Sequence, residues 1–308
     1  MATVLISGGT GMVGTVLTKS LVAKGYDVII LTRNSSTEKP MHKVQYAQWD
    51  IDKQTIDENA IKKADYIIHL AGAGVADKRW TEKRKKEIVD SRVNSGKLLV
   101  KVLNEIRNDV TAVISASAIG WYGPDKNMGN TKPFVETDAA GKDFLGTTCK
   151  KWEASIEPIT ATGRRLVILR TGIVLGKSGG AYPEFKKTLK LRVASILGSG
   201  KQVVSWIHVD DLVAMYVYAL QNESCKGVYN AVAPHPVTNA ALVQTIGAVK
   251  YSPYVCVHVP QFVLKLMLGE MSVEVLKSAT VSAEKILQAG FVFTYSKIEA
   301  AVENLEKE

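Results

Sequence analysis

Three glycines, spaced Gly8-x-x-Gly11-x-x-Gly14, stand between a β-branched run, Thr3-Val4-Leu5-Ile6-Ser7, and a stretch of helical character from Thr15 to Lys24. A strand that turns through glycines straight into a helix is suited to holding a pyrophosphate. Gly8 permits the tight reversal, Gly11 lets backbone approach phosphate, and Gly14 lets helix and strand pack closely. The first helical turn adds unpaired N–H groups and the positive end of the helix dipole. Gly8, Thr10, Gly11, Met12, Val13 and Gly14 are therefore the candidate phosphate contacts of a dinucleotide site.

The second strand, Asp27-Val28-Ile29-Ile30-Leu31, bears on which dinucleotide is held. An NAD site usually ends this strand in a carboxylate for the ribose 2′-hydroxyl. Here the strand ends in Thr32-Arg33-Asn34, where a guanidinium can make paired charge-assisted bonds to a 2′-phosphate. NADP(H) is favoured on this ground; the plainer reading of Arg33 is a solvated loop cation.

The elements that must position this site follow an alternating pattern. Val44–Trp49, Asp65–Leu70 and Val110–Ser115 read as third, fourth and fifth strands. A long helix from about Thr81 to Ile106 lies between the last two, and Val89, Val93, Gly96, Val100 and Leu103 form a stripe expected to face the sheet. A helix from Phe144 to Ile159 and a strand from Arg165 to Arg170 come next, then a glycine-rich loop from Gly172 to Gly180 and a short strand, Val203–Trp206. Right-handed crossovers make this an α/β fold: a Rossmann-type doubly wound parallel sheet with a smaller, mostly helical C-terminal cap. Residues 1–170 are expected to form the dinucleotide-binding domain, 203–230 to return to it, and 171–202 with 231–308 to form the cap. Leu70-Ala71-Gly72-Ala73-Gly74 would lie at a strand end, with residues small enough for backbone to rest against the cofactor.

Composition limits the function classes. The 308 residues can bury a substantial core, and no apolar run approaches the ~18 residues of a membrane span. The first strand starts at the N-terminus, which argues against a signal peptide. Cys149, Cys225 and Cys256 lack CxxC spacing, so a reducing, cytoplasmic setting without metal or disulfides is expected. The run from Lys78 to Lys86 contributes to a net charge of +9. A basic patch beside Trp80 is one form of nucleic-acid surface, but a solvated helix start is preferred, and neither nucleic acid nor membrane is expected as a partner.

The motifs Gly8-x-x-Gly11-x-x-Gly14, Leu70-Ala71-Gly72, Leu169-Arg170-Thr171-Gly172 and Trp206-Ile207-His208-Val209-Asp210-Asp211-Leu212 together resemble the extended short-chain dehydrogenase/reductases. More narrowly, Arg79-Trp80-Thr81, Asp90-Ser91-Arg92, the stretch from Asn230 to Asn239, Leu268-Gly269-Glu270-Met271 and Ala289-Gly290-Phe291 resemble the atypical "epimerase family protein" subgroup with its own C-terminal domain. The resemblance implies NADP(H) as cofactor, with contacts at Thr32, Arg33, Leu70, Ala71, Glu87, Arg92 and Val174. It also implies a small-molecule substrate, and a homodimer through the long helices as a superfamily habit.

Superfamily chemistry rests on a serine and a Tyr-x-x-x-Lys pair, the tyrosine serving as acid or base. Aligned on Glu153, this chain has Leu145 and Cys149 where the pair should stand. Ser117 matches the superfamily serine, and Tyr122 is the phenol nearest to it in sequence; these two are the catalytic candidates. Cys149, or His208 with Asp210, are further substitutes. Each also has a structural role open to it: a strand end, a pocket wall, a buried apolar contact, a helix start. Two functions follow, an NADP(H)-dependent oxidoreductase or epimerase acting on a small polar molecule, and an NADP(H)-binding redox sensor without turnover.

Overall fold

The computed structural model describes residues 2–34, 42–126 and 132–307. The N-terminal half alternates as its hydrophobic pattern predicts: β1 (Thr3–Ser7), α1 (Met12–Ala23), β2 (Asp27–Thr32), β3 (Val44–Asp50), β4 (Thr55–Ile56), α2 (Glu58–Lys63), β5 (Tyr66–His69), α3 (Glu82–Glu105), β6 (Ala112–Ala118), α4 (Phe144–Ile156) and β7 (Arg165–Thr171). Then come β8 (Ile173–Gly176), β9 (Gly179–Gly180), α5 (Tyr182–Leu189), β10 (Val193–Leu197), β11 (Val203–Val204), β12 (Trp206–His208), α6 (Val209–Gln221) and β13 (Gly227–Ala231). The main sheet has the order β13-β7-β6-β5-β1-β2-β3-β4 and is parallel except for β4, which runs antiparallel to β3. Strand order grows one way from β1 and the other way from β5. The carboxyl ends of these two neighbours are thus the topological switch point, where ligands of such sheets bind.

Both faces of the sheet are covered, which explains why its strands read as continuous apolar runs. Val4, Ile6, Ile114 and Leu169 pack on α1 and α6; Leu5, Ile67, Val113 and Ile168 pack towards α2, α3 and α4. The expected stripe on α3 needs correction. The buried residues include Ile88, Arg92, Ser95, Leu98, Leu99 and Val102, whereas Val89, Val93 and Val100 are half-buried along the flank. Gly96 meets Ser155 of α4, so its missing side chain sets the closeness of two helices and not of helix and sheet. Two polar residues, Arg92 and Ser95, take sheet-side positions that a purely hydrophobic phasing assigns elsewhere.

Several other expectations change in detail. The fifth strand runs on through Ala118, so Ser117 belongs to β6 and not to a loop. Residues 172–180 hold the hairpin β8–β9, and the strand expected over Val203–Trp206 splits into β11 and β12, which join different small sheets. The C-terminal region is mainly helical: β14 (Val237–Thr238), α7 (Asn239–Ile246), β15 (Val255–Val259), α8 (Gln261–Leu268), α9 (Ser272–Leu276), α10 (Glu284–Gln288) and α11 (Ile298–Glu306). No helix among the described residues is long and apolar enough to cross a membrane.

The turn after β1 is closely packed against backbone. A methyl group on Gly14 would lie 2.6 Å from the Gly9 Cα and closer still to the Gly8 carbonyl. Gly14→Ala is therefore expected to cost about 1–3 kcal/mol, as overpacking against backbone does, seen as a lowered Tm in a thermal melt. An unchanged Tm would show that the turn can relax.

Candidate functional site

The turn is shaped to receive a phosphate. Gly8 has φ +76°, and the Gly11 N–H closes the turn on the Gly8 carbonyl at 3.1 Å. Gly11 is the N-cap of α1 with no side-chain cap bond, and the first turn carries no acidic residue, so the helix start is unfilled and unopposed for an anion. Thr10 and Gly11 are exposed, and a side chain at Gly11 would meet nothing nearer than the Gly8 carbonyl at 3.4 Å. Met12 and Val13 are half-buried, and the Met12 thioether lies against Gly176, Gly179 and Gly180 of the β8–β9 hairpin. Gly9, missed in the sequence reading, is required because a side chain there would strike Ile30. Thr32 and Arg33 follow β2, with Arg33 exposed and Thr32 accepting a bond from the Asn34 N–H.

The β5 end meets this turn directly. A side chain on Gly8 would lie 2.9 Å from the Leu70 carbonyl carbon and 3.0 Å from the Ala71 nitrogen, so Leu70 and Ala71 are packed beside the glycines. The loop that follows is braced from below by α3. Arg92, buried and stacked 4.9 Å from the Trp152 ring, donates to the Ala73 carbonyl at 2.9 Å, and its guanidinium fills the space beside Gly72. Ser91 accepts from the Ala73 N–H, Trp80 donates to the Val75 carbonyl, and Arg84 donates to the Gly74 carbonyl while pairing with Asp77 and Glu87. Glu87 is largely exposed and meets the loop through Arg84; Val174 is half-buried in β8. Within the basic run, Lys85 pairs with Glu82 and Glu270 and Lys86 with Asp90, so much of its charge is matched locally.

Beneath the turn lies a buried imidazole that the sequence reading did not single out. Ser7 Oγ is 2.6 Å from His69 Nδ1, and Ser95 Oγ is 3.3 Å from Nε2. Since Ser95 donates to the Arg92 carbonyl, the consistent assignment is Ser7 donating to Nδ1 and His69 donating from Nε2. This neutral imidazole connects the residue before Gly8 to α3.

Ser117 and Tyr122 occupy one buried network. Ser117 donates to Glu153 Oε1 at 2.6 Å. Arg170 grips the same carboxylate with Nε and Nη2, both at 2.9 Å, and its Nη1 reaches the Tyr122 hydroxyl at 3.1 Å and the Glu136 carbonyl at 3.0 Å. Tyr122 in turn donates to Asn230 Oδ1 at 2.7 Å. Trp121 stacks 3.7 Å from the guanidinium, and Tyr122 is 0 % exposed, its phenol pushed up to about 12 by burial. Leu145 and Cys149 pack under Gly120, and burial raises the Cys149 thiol to about 12, which keeps it neutral. The proposed His208–Asp210 relay takes another form: His208 caps α6 by accepting the Asp210 N–H, while buried Asp211 holds the backbone N–H groups of Thr294 and Tyr295. The network could have been suspected from Arg170, a charge inside an apolar strand that must find a counter-charge.

A glycine turn at the switch point of a doubly wound sheet, followed by a mainly helical C-terminal region, defines a dinucleotide-binding protein of the extended short-chain dehydrogenase/reductase type. The chain belongs to the NAD dependent epimerase/dehydratase family, whose model matches residues 4–231, and a domain of unknown function, DUF1731, matches residues 259–305. It is 36% identical over 303 residues to the epimerase family protein YfhF of Bacillus subtilis, covering 98% of this chain and 97% of the relative. The epimerase family protein SSP1921 of Staphylococcus saprophyticus is 34% identical, with 98% of each chain covered. The crystal structure of the human epimerase family protein SDR39U1 with NADPH superposes with a TM-score of 0.86 at 28% identity, over 98% of each chain. The subgroup inferred from the motifs, including its C-terminal domain, is thus shown.

Two measurements test the buried groups. Glu153→Gln leaves Arg170 without its counter-charge, and a loss of about 3–5 kcal/mol is expected in urea denaturation. His69 is held down from 6.5 to about 4, by burial first and by the Arg92 charge second. The unfolded chain takes up this proton at higher pH than the folded one. The His69 contribution is therefore complete above pH ~6.5 and lost as pH falls towards ~4, roughly 3 kcal/mol in total. His69→Asn should remove that part of the pH slope; an identical slope in the variant would assign it to other groups.

Proposed function

We propose that this chain binds NADP(H) at the β1–β5 switch point and holds it without the tyrosine-centred proton transfer of its superfamily. Gly8, Thr10, Gly11, Met12, Val13 and Gly14 would cradle the pyrophosphate, Thr32 and Arg33 the 2′-phosphate. Leu70, Ala71, Gly72 and Val174 would line the cofactor, with Glu87 and Arg92 acting through the loop they brace. When bound, the cofactor supplies a hydride donor or acceptor at its nicotinamide. Support for NADP(H) over NAD(H) comes from Arg33, from the lack of a carboxylate at residues 32–34, and from the human relative crystallised with NADPH.

One observation carries the second half of the proposal. Ser117 and Tyr122, the two candidate hydroxyls, are held in the Glu153–Arg170 network, while Leu145 and Cys149 give an apolar, neutral surface where the proton-transfer pair would stand. Losing such an acid–base group typically lowers a rate by ~10²–10⁴-fold. Of the two functions drawn from the sequence, redox sensing without turnover accords better with this arrangement than oxidoreductase or epimerase catalysis on a small polar substrate.

The test combines binding and turnover. NADPH should bind, and Arg33→Ala should weaken it roughly tenfold or more while leaving NADH little changed, as loss of a charge-assisted bond predicts. Equal losses for both cofactors would overturn the 2′-phosphate assignment. A panel of aldehydes, ketones and nucleotide sugars, followed by cofactor absorbance and product analysis, should show no turnover. Turnover abolished by Ser117→Ala or Tyr122→Phe would restore the catalytic reading.

A further inference from the structure

Two stretches that the proposed function leaves unused, Arg79-Trp80-Thr81 and Leu268-Gly269-Glu270-Met271, meet in space. Arg79 Nη2 donates to the Leu266 carbonyl at 3.1 Å, across 187 residues of sequence. Gly269 ends α8 with φ 63° and ψ −136°, a backbone region open essentially to glycine, and a side chain there would lie 3.3 Å from Arg79 Nη2. Beside this contact Lys85 Nζ is 2.6 Å from Glu270, 3.1 Å from Glu82 and 5.7 Å from the centre of the Phe144 ring. Trp80 meets the same ring edge-on at 4.9 Å. At the far end of the segment Lys277 Nζ is 3.2 Å from Asp143, the N-cap of α4, and 2.8 Å from Glu274.

Residues 261–277 thus bridge the loop after β5 and the start of α4, both at the carboxyl ends of the parallel strands. The bridge is lightly seated. Leu264 and Ser272 are its buried residues, while Phe262, Leu266 and Met267 are 73%, 77% and 65% exposed. Beyond it the chain is firmly anchored, with Ser278 and Thr280 bonded to Asp125. A segment with few apolar contacts between fixed ends opens at lower free energy than its surroundings.

We propose that residues 261–277 form a lid over the cofactor cleft, latched by Arg79 on the Leu266–Gly269 turn and by Lys85 on Glu270, and that this latch sets how fast NADP(H) enters and leaves. The lid rests on the reading that the cofactor occupies the switch point. Closure lays the segment across the mouth of that crevice, and opening frees it about Pro260 and Ser278. The Lys85–Glu270 pair is partly exposed, so salt weakens it.

Hydrogen exchange and stopped-flow NADPH binding, followed by tryptophan-to-NADPH energy transfer, test the lid on the full chain with Glu270→Gln and, separately, Gly269→Ala. Both variants should exchange amide protons over 261–277 at least fivefold faster, with residues 278–283 unchanged. NADPH association and release should both accelerate at least threefold, with Kd altered less than twofold. In the unaltered protein, added salt should raise the release rate towards that of Glu270→Gln. NADPH bound with unaltered rates and unaltered exchange in both variants overturns the lid. Failure of the unaltered protein to bind NADPH overturns the cofactor reading instead, and the exchange rates still decide whether the latch holds the segment.

Discussion

The constraint on which the centre of this molecule depends is a charge placed where water cannot reach it. Arg170 lies next to the carboxyl end of β7, 2 % exposed, and a guanidinium there is tolerated only if a carboxylate and further acceptors meet it. Glu153 supplies the carboxylate from α4, Tyr122 and the Glu136 carbonyl take the remaining nitrogen, and Trp121 covers the flat face. Each partner then acquires an obligation of its own. Tyr122 must find Asn230, Asn230 finds the Ser282 carbonyl and Glu136, and Glu153 takes the Ser117 hydroxyl. The side chains that most resembled catalytic equipment are the ones this arrangement recruits.

The surroundings of the glycine turn are organised by a different principle. There, backbone approaches backbone, and glycines mark each place where a side chain would collide: Gly8 against Leu70 and Ala71, Gly14 against Gly8 and Gly9. The polar residues of α3 work below this surface. Arg92, Arg84 and Ser91 bind loop backbone, and Ser95 reaches the imidazole that in turn reaches Ser7. The glycine turn is therefore positioned from two sides, by steric fit above and by buried hydrogen bonds beneath.

This contrast explains how much was legible in the sequence. The glycine turn, the parallel strands and the family could be read because their signals are local, each a few residues long. The fifth strand, expected to end at Ser115, runs on to Ala118; the small residues Ala116 and Ala118 carry no strand signal of their own. The α3 stripe holds at Leu103, which is buried in the sheet-side core, and fails at Val89 and Val93 because Arg92 and Ser95 face inward to serve the loop and His69, against the hydrophobic pattern. The ion network escaped because its members are scattered from residue 117 to residue 282, and its two opposite charges, Glu153 and Arg170, stand 17 residues apart on different elements. Arg170 was its one local sign.

The edge strand β13 carries a consequence for how the chain is made. Asn230, on β13, bonds Tyr122 across 108 residues, and Ser282 must arrive after it. A ribosome that has delivered β1 to β7 has delivered Arg170 with its carboxylate, but a Tyr122 without Asn230 and an unfinished sheet edge, since β13 comes after the whole of α5, β10 and α6. Domains usually acquire structure in order of synthesis. Here the sheet edge waits for residue 231 and the Asn230 side chain for Ser282, which makes the nascent chain dependent on contacts of high sequence separation and correspondingly slow to close.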